Sequence, residues 1–272
     1  MAVAGAADGL INVGNVKLEI TERGSGKPLV FLHAGHPAGR PDPAAPIWAK
    51  FAQSHRLIAP THPGFGREAA PENLTTVDDL AYFYLDLMDA RDLHDVVLVG
   101  VGLGGWIAAE IAVKSTQRLS HLVLADAVGI KPGNRETRDI ADIYAIVDKE
   151  LAALAYADPA LGMPDKSKLS DDEFFFMACS REATGRYAWS PYMHNPKLLG
   201  RLHRIRIPTL VLWGEADGIV TPEYGRHFAA AIAGARFETI SKAGHLPYIE
   251  QPEIFADRVL AFVEGKVPEA AS

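Results

Sequence analysis

Short apolar, β-branched runs alternate along the chain with stretches in which apolar residues recur at helical spacing. The runs near 28–33, 56–60, 95–100, 120–126, 208–213 and 235–240 read as strands. The stretches near 43–53, 76–90, 103–114, 221–232 and 252–264 read as helices. Residues 9–22 read as a hairpin turning at Gly14-Asn15, with alternation through Val16-Lys17-Leu18-Glu19-Ile20. Strands alternating with helices predict a mostly parallel sheet covered on both faces. Two helix starts are legible. Thr76-Val77-Asp78-Asp79 places a hydroxyl cap before acids in the first turn, and Thr221-Pro222-Glu223 adds a proline where the helix begins.

Residues 130–206 break this alternation. Arg138 to Ala155 has helical spacing, Asp158-Pro159 and Met163-Pro164 interrupt, and Ser170-Asp171-Asp172-Glu173 caps a run through Phe174-Phe175-Phe176-Met177. An insertion after the strand ending at Asp126 opens at the carboxyl ends of the strands, where ligands bind in open α/β sheets. The expected organisation is therefore a core made of 1–129 and 207–272 with 130–206 inserted over the site; an insertion packed elsewhere is the alternative. The tail from Gly265 to Ser272 is expected to fray.

The chain of 272 residues is long enough for a large core, and 48% hydrophobic with 22% charged residues is ordinary for a globular protein. The net charge of −7 comes without a lysine or arginine stripe, which argues against nucleic acid as a partner. The single cysteine, Cys179, excludes an intramolecular disulfide and suits a reducing compartment. No secretory leader is legible at Met1–Asp8, and no apolar run approaches the ~20 residues of a membrane span, so a cytoplasmic location without membrane contact is expected. The ten histidines are dispersed, and no metal site or cofactor is expected. Gly100-Val101-Gly102-Leu103-Gly104-Gly105 has neither a phosphate-loop lysine nor a suitable acidic partner for a dinucleotide.

The chemistry turns on that glycine-dense turn. Val96-Val97-Leu98-Val99 runs into it, and the helical pattern from Trp106 follows, which is the strand–turn–helix setting of a nucleophile elbow. The central position is Gly102, which has no atom to attack with. Four further segments carry a resemblance in the same order: His33-Ala34-Gly35-His36 after an apolar strand; Pro63-Gly64-Phe65-Gly66; Val211-Leu212-Trp213-Gly214-Glu215-Ala216-Asp217; and Ala243-Gly244-His245-Leu246-Pro247. Together they resemble the α/β-hydrolase family over nearly the whole chain. The resemblance implies an eight-stranded, mostly parallel sheet with helices on both faces and a helical cap at 130–206. Two departures stand beside Gly102: Thr61-His62 where the family has an acid before the PGFG turn, and Val101 where a histidine commonly precedes the serine.

By this resemblance His245 is the catalytic histidine and Asp217, rather than Glu215, its acid. Gly102 marks the nucleophile position, and the backbone N–H groups of Leu103 and Gly35 form the oxyanion hole. A histidine exchanges protons near neutral pH, and a carboxylate behind it holds the tautomer and stabilises the imidazolium. His33, His36, Trp106, Trp189 and Tyr192 are candidates for the substrate pocket. His62 reads as structural, and Cys179, in the insertion, as a small apolar residue rather than a substitute nucleophile. Three readings of the empty elbow stay open: a serine replaced to stop turnover, a natural enzyme that works without a covalent step, and a binding protein. The expected partner is a small, largely apolar carbonyl compound (an ester, a lactone or a substrate with a labile C–C bond). Lyase, cyclase or isomerase chemistry by the same dyad is the enzymatic alternative, and the chain is expected to act as a monomer or homodimer.

Overall fold

A computed structural model describes residues 7–35 and 45–266. Eight strands form one sheet in the order β1-β2-β4-β3-β5-β6-β7-β8. They are β1 (Ala7–Val13), β2 (Val16–Arg23), β3 (Lys27–Leu32), β4 (His55–Pro60), β5 (Val96–Val101), β6 (Leu119–Ala125), β7 (Thr209–Gly214) and β8 (Arg236–Ile240). The first two form the expected hairpin, and β2 meets β4 antiparallel; every pairing from β4 through β3 to β8 is parallel. The chain moves outward from β3 to β4, then returns to lay β5 on the other side of β3. The carboxyl ends of β3 and β5 therefore flank the point where the winding reverses, the place where open α/β sheets form their crevice. The His33–Gly35 loop and Gly102 stand there.

The eight α-helices of the described residues are α1 (Pro46–Ala52), α2 (Val77–Ala90), α3 (Leu103–Lys114), α4 (Asp148–Ala155), α5 (Asp171–Ala188), α6 (Pro222–Ala231), α7 (Pro247–Glu250) and α8 (Pro252–Val263). Every residue of β5 and β7 is buried, as expected for strands covered on both faces. Alternate residues still serve different sides: Val96 and Leu98 pack with α2, α3 and α6, whereas Val97 and Val99 pack with α1 and α8. Phe31 anchors the second side, its ring 5.0 Å from Trp48 and 5.2 Å from Tyr248 in edge-on contacts.

Of the three hydroxyl caps expected, at Thr76, Ser170 and Thr221, two form. Thr76 and Asp79 complete a capping box at α2, as Ser170 and Glu173 do at α5, each satisfying amides that the helix leaves open. Thr221 occupies the cap position of α6 but its side chain makes no cap bond, so Pro222 and Glu223 start that helix without the expected hydroxyl. The helix expected from Arg138 begins only at Asp148. Upstream, the Tyr192 hydroxyl donates to the Ala141 carbonyl and accepts from the Ile143 amide, and the Asp142 carboxylate accepts from the Tyr144 amide. Backbone groups engaged in this way are not free to form a helical ladder.

The first turn of α3 lies directly on the sheet. A Cβ at Gly104 would stand 2.1 Å from the Leu32 carbonyl oxygen, and one at Gly100 would stand 2.3 Å from the Gly104 carbonyl oxygen. Gly104→Ala should therefore destabilise the fold by at least about 3 kcal/mol. Gly200→Ala, where a Cβ meets nothing within 4 Å, should change stability by less than about 0.5 kcal/mol. Urea denaturation of the two variants beside the wild type measures the contrast; equal midpoints would show that α3 tolerates a spacer.

Candidate active site

The loops that follow β3, β5, β7 and β8 meet at one end of the sheet. Gly102 turns the chain between β5 and α3 with φ +53° and ψ −116°, a conformation in which glycine rests and any side chain is strained. Its amide donates to the Ala125 carbonyl at 3.0 Å, and its own carbonyl accepts from Trp106 and Val128, both at 3.2 Å. The elbow geometry is thus held by backbone bonds alone, with no need of a side chain.

His245 and Asp217 form a buried pair, with Nδ1 of the imidazole 2.9 Å from Oδ2 of the carboxylate. The other carboxylate oxygen accepts from the amides of Ile219 at 2.8 Å and Val220 at 3.1 Å, which fixes its plane. An ionised carboxylate only accepts, so Nδ1 carries the proton and Nε2 keeps the lone pair. Glu215 points elsewhere and accepts from the Thr239 hydroxyl. The segment between β6 and β7 braces both loops: the Ala155 carbonyl accepts from the His245 amide and the Leu154 carbonyl from the Gly218 amide, each at 2.8 Å. On the other side of the site, α5 touches the β3 loop through Thr184, whose hydroxyl donates to the Gly35 carbonyl. It also meets the loop after β4 through Tyr187, whose hydroxyl donates to the Pro63 carbonyl.

Two carboxyls that the sequence did not single out support the pair. Glu250 of α7 accepts from the Gly244 amide at 2.5 Å and from the Ala157 amide at 2.8 Å, tying the histidine loop to the chain leaving α4. Asp126, at the end of β6, accepts from the Gly214 amide at 2.9 Å and is fully buried. Burial, and then the charge of Asp217, push its carboxyl well above the ordinary range. An acid at the carboxyl end of a parallel strand was the one available signal for Asp126; nothing local to Glu250 distinguished it from a helix-start glutamate.

The two amides expected to receive a substrate oxygen both have internal neighbours. The Leu103 amide donates to the Ala34 carbonyl at 3.3 Å, and the Gly35 amide faces His33 Nδ1 at 3.2 Å. Both contacts sit at the long edge of hydrogen-bond distances. His33 also receives the His62 amide on Nε2 at 2.9 Å. A neutral imidazole has one lone pair, and the shorter contact has the better claim to it, so the Gly35 amide is weakly held.

His33 is buried and stacked on His62 with ring centroids 3.8 Å apart, so it braces the loop rather than lining a pocket. His62 Nε2 donates to the His33 carbonyl, and its Nδ1 accepts from the Tyr84 hydroxyl. Burial keeps His62 neutral by lowering its pKa to about 4. Trp106 and Trp189 line one groove of about 500 Å³ with Thr76, Glu110, His194 and Asn195, but Gly102, Asp217 and His245 are not among its walls. Tyr192 does not line that groove; its hydroxyl is engaged by the Ala141 carbonyl and the Ile143 amide. His36 lies outside the described residues. Cys179 is half-buried on α5, and burial together with Glu182 raises its thiol pKa, which disfavours the reactive thiolate. Among the described residues no group of histidine, cysteine and acidic side chains could hold a metal, and no helix is long and apolar enough to cross a membrane.

This fold, with its glycine elbow and its histidine and acid loops after the last two strands, defines a class. The chain belongs to the alpha/beta hydrolase family, whose sequence profile matches residues 29–258. It is 25% identical over 271 residues to the 2-hydroxy-6-oxo-6-(2'-aminophenyl)hexa-2,4-dienoic acid hydrolase of Metapseudomonas resinovorans, covering 94% of this chain and 90% of that one. It is also 25% identical to the 2-hydroxymuconate semialdehyde hydrolase of Pseudomonas sp. (strain CF600), over 93% and 92% of the two chains. Among solved structures it is similar to a serine hydrolase involved in carbazole degradation, the CarC enzyme, with TM-score 0.73, 22% identity and coverage of 96% and 100%.

The buried histidine pair gives a measurable acid response. The unfolded chain protonates His62 near its ordinary 6.5, whereas the folded chain resists until about 4. The unfolded state therefore binds more protons across that window, and stability falls as pH drops through it, by roughly 3 kcal/mol from this group. His62→Gln should be less stable at pH 7 yet lose less between pH 6.5 and 4.5. Denaturation midpoints at the two pH values test this; parallel losses in both proteins would remove His62 as the cause.

Proposed function

We propose that this chain is a hydrolase of small, largely apolar carbonyl compounds that works by general acid–base catalysis with His245 and Asp217, without a covalent intermediate. The reading rests above all on the 2.9 Å buried contact between these side chains, at the end of the sheet where the winding reverses. Residues 130–206 act in it as a helical cap, consistent with the bonds from Ala155, Leu154 and Thr184 to the loops below.

In this mechanism His245 Nε2 takes a proton from a water held where a serine side chain would otherwise stand, beside Gly102. The resulting hydroxide adds to the substrate carbonyl. The oxyanion then displaces the Ala34 carbonyl and the His33 ring from the Leu103 and Gly35 amides, two long contacts that cost little to exchange. Collapse of the tetrahedral adduct releases a carboxylic acid and an alkoxide or enolate, which recovers the proton from the imidazolium. Asp217 stabilises that imidazolium throughout. The names of the two relatives favour conjugated oxo-dienoic acids as first substrates, ahead of small activated esters and lactones.

The occupied Leu103 amide favours a second reading. A lyase, cyclase or isomerase that only moves protons forms no tetrahedral adduct and has less need of that donor. Substrate whose C–H protons exchange with solvent deuterium without hydrolysis would point to it, and exchange lost in His245→Ala would assign the base.

Turnover of an oxo-dienoic acid and ester panel should fall about 10²–10⁴-fold in His245→Ala, with a smaller loss in Asp217→Asn. Ligand binding that persists while His245→Ala changes no measurable turnover would mark a binding protein instead. Gly102→Ser is the complementary experiment. A Cβ there stands 3.0 Å from the Ala34 Cβ and 3.1 Å from its carbonyl oxygen, so the loop must yield by a few tenths of an ångström. The variant should fold with a stability loss of about 1–3 kcal/mol and form an acyl-enzyme with an activated ester, detected as a mass increment. A folded variant that never acylates would argue against an elbow that can still serve a nucleophile.

A further inference from the structure

The dyad has a third carboxyl beneath it. Asp126 ends β6 with φ +45°, a left-handed conformation that aspartate and asparagine tolerate better than most residues. One of its oxygens accepts from the Gly214 amide, while the Gly214 carbonyl accepts from the Asp217 amide at 3.2 Å. One residue, Gly214, thus bonds to both aspartates at the end of β7. The second oxygen, Oδ2, is buried and has no donor partner among the described residues. An ionised oxygen in that position is costly. The charged groups that act on Asp126 are both anions, Asp217 in the loop after β7 and, more weakly, Glu250 on α7. Two buried carboxyls so placed share a proton.

We propose that Asp126 is held as the neutral acid, and that its Oδ2–H donates to Asp217, making it a positioning residue for the carboxylate that orients His245. This rests on the dyad reading of the site for its purpose, but not for its chemistry. The proposal accounts for the orphaned oxygen: protonated, Oδ2 becomes a donor, and the neighbouring Asp217 supplies an acceptor. It also completes the set of donors around Asp217. Ile219 and Val220 fix one oxygen, and the carboxyl joins His245 in fixing the other side, so a single negative charge is left where two would repel. The cause agrees in direction, since burial and the neighbouring Asp217 both oppose ionisation of Asp126.

Asp126→Asn is the informative substitution. Asparagine keeps the left-handed backbone accessible, accepts from Gly214 with its oxygen and offers an N–H to Asp217, so it mimics the neutral acid and cannot ionise. The folded wild type retains a proton that the unfolded chain releases near the ordinary aspartate range. Its stability must therefore decline relative to Asp126→Asn as pH rises, by up to about tenfold in the unfolding equilibrium constant per pH unit. Denaturation of both proteins from pH 5 to 8 should show this widening gap in favour of the asparagine. In ¹³C-aspartate-labelled protein at pH 7, one side-chain carboxyl resonance should have the shift of a protonated acid and disappear in Asp126→Asn. Parallel stability profiles, or aspartate resonances that are all of the ionised type, would overturn the proposal. Both measurements are made without substrate, so they stand if the chain proves to be a binder. If it turns over substrate, Asp126→Asn should keep activity within about threefold at pH 7, and Asp126→Leu, which cannot bond to Asp217, should lose at least about tenfold in kcat. An inactive Asp126→Asn that still folds would count against a purely neutral donor.

Discussion

Everything at the candidate site depends on how closely α3 approaches the sheet. Its first turn has no side chain between it and the strands, because Gly100, Gly104 and Gly105 would each drive a Cβ into backbone or side-chain atoms at 2.5 Å or less. The Gly104 amide can then donate to the His33 carbonyl, and the loop after β3 is drawn against the elbow. This contact sets the distance between the Gly102 turn and the Ala34–Gly35 loop, and so the shape of whatever is bound there. A larger residue in the turn would separate the helix from the sheet and open the site from below.

The same closeness accounts for the two engaged amides. With only glycine at position 102, the Ala34 carbonyl settles near the space that a side chain would fill and accepts weakly from Leu103. The Gly102 turn and the Ala34–Gly35 loop are two sides of one packing arrangement. A ligand oxygen competes with a 3.3 Å contact on one amide and a 3.2 Å contact on the other, rather than with short, well-formed bonds.

Buried ionisable groups gather around this end of the sheet, and each is balanced differently. His62 is neutral between a hydroxyl and a carbonyl. Asp217 keeps its partners on both oxygens. Glu250, only partly buried, accepts from two backbone amides. Asp126 alone has an oxygen left over, and desolvation makes protonation the least costly remedy. The opposite pH responses of His62 and Asp126 follow from the sign of the charged form that burial penalises.

Strand and helix periodicity, the capping pairs at Thr76 and Ser170, and the chain order of Gly102, Asp217 and His245 were legible in the sequence because each depends on neighbouring residues or on spacing along one element. That Asp217 rather than Glu215 meets His245 was legible in the same way, through its place after Trp213-Gly214. Other features depend on residues far apart in the chain. Tyr192 prevents a helix fifty residues upstream by bonding to its backbone, and His33 turns inward because His62 stacks on it. Trp106 and Trp189 reach a groove that excludes the dyad, which no helical spacing could have indicated. Asp126 appeared in the sequence only as the end of an apolar run; its burial against a second aspartate exists only once β6 and β7 lie side by side. Local propensity and motif order thus determined which elements form and which residues end them. The tertiary structure alone decided which polar groups meet, because the cost of burying a charge or an amide depends on the neighbours that folding brings to it.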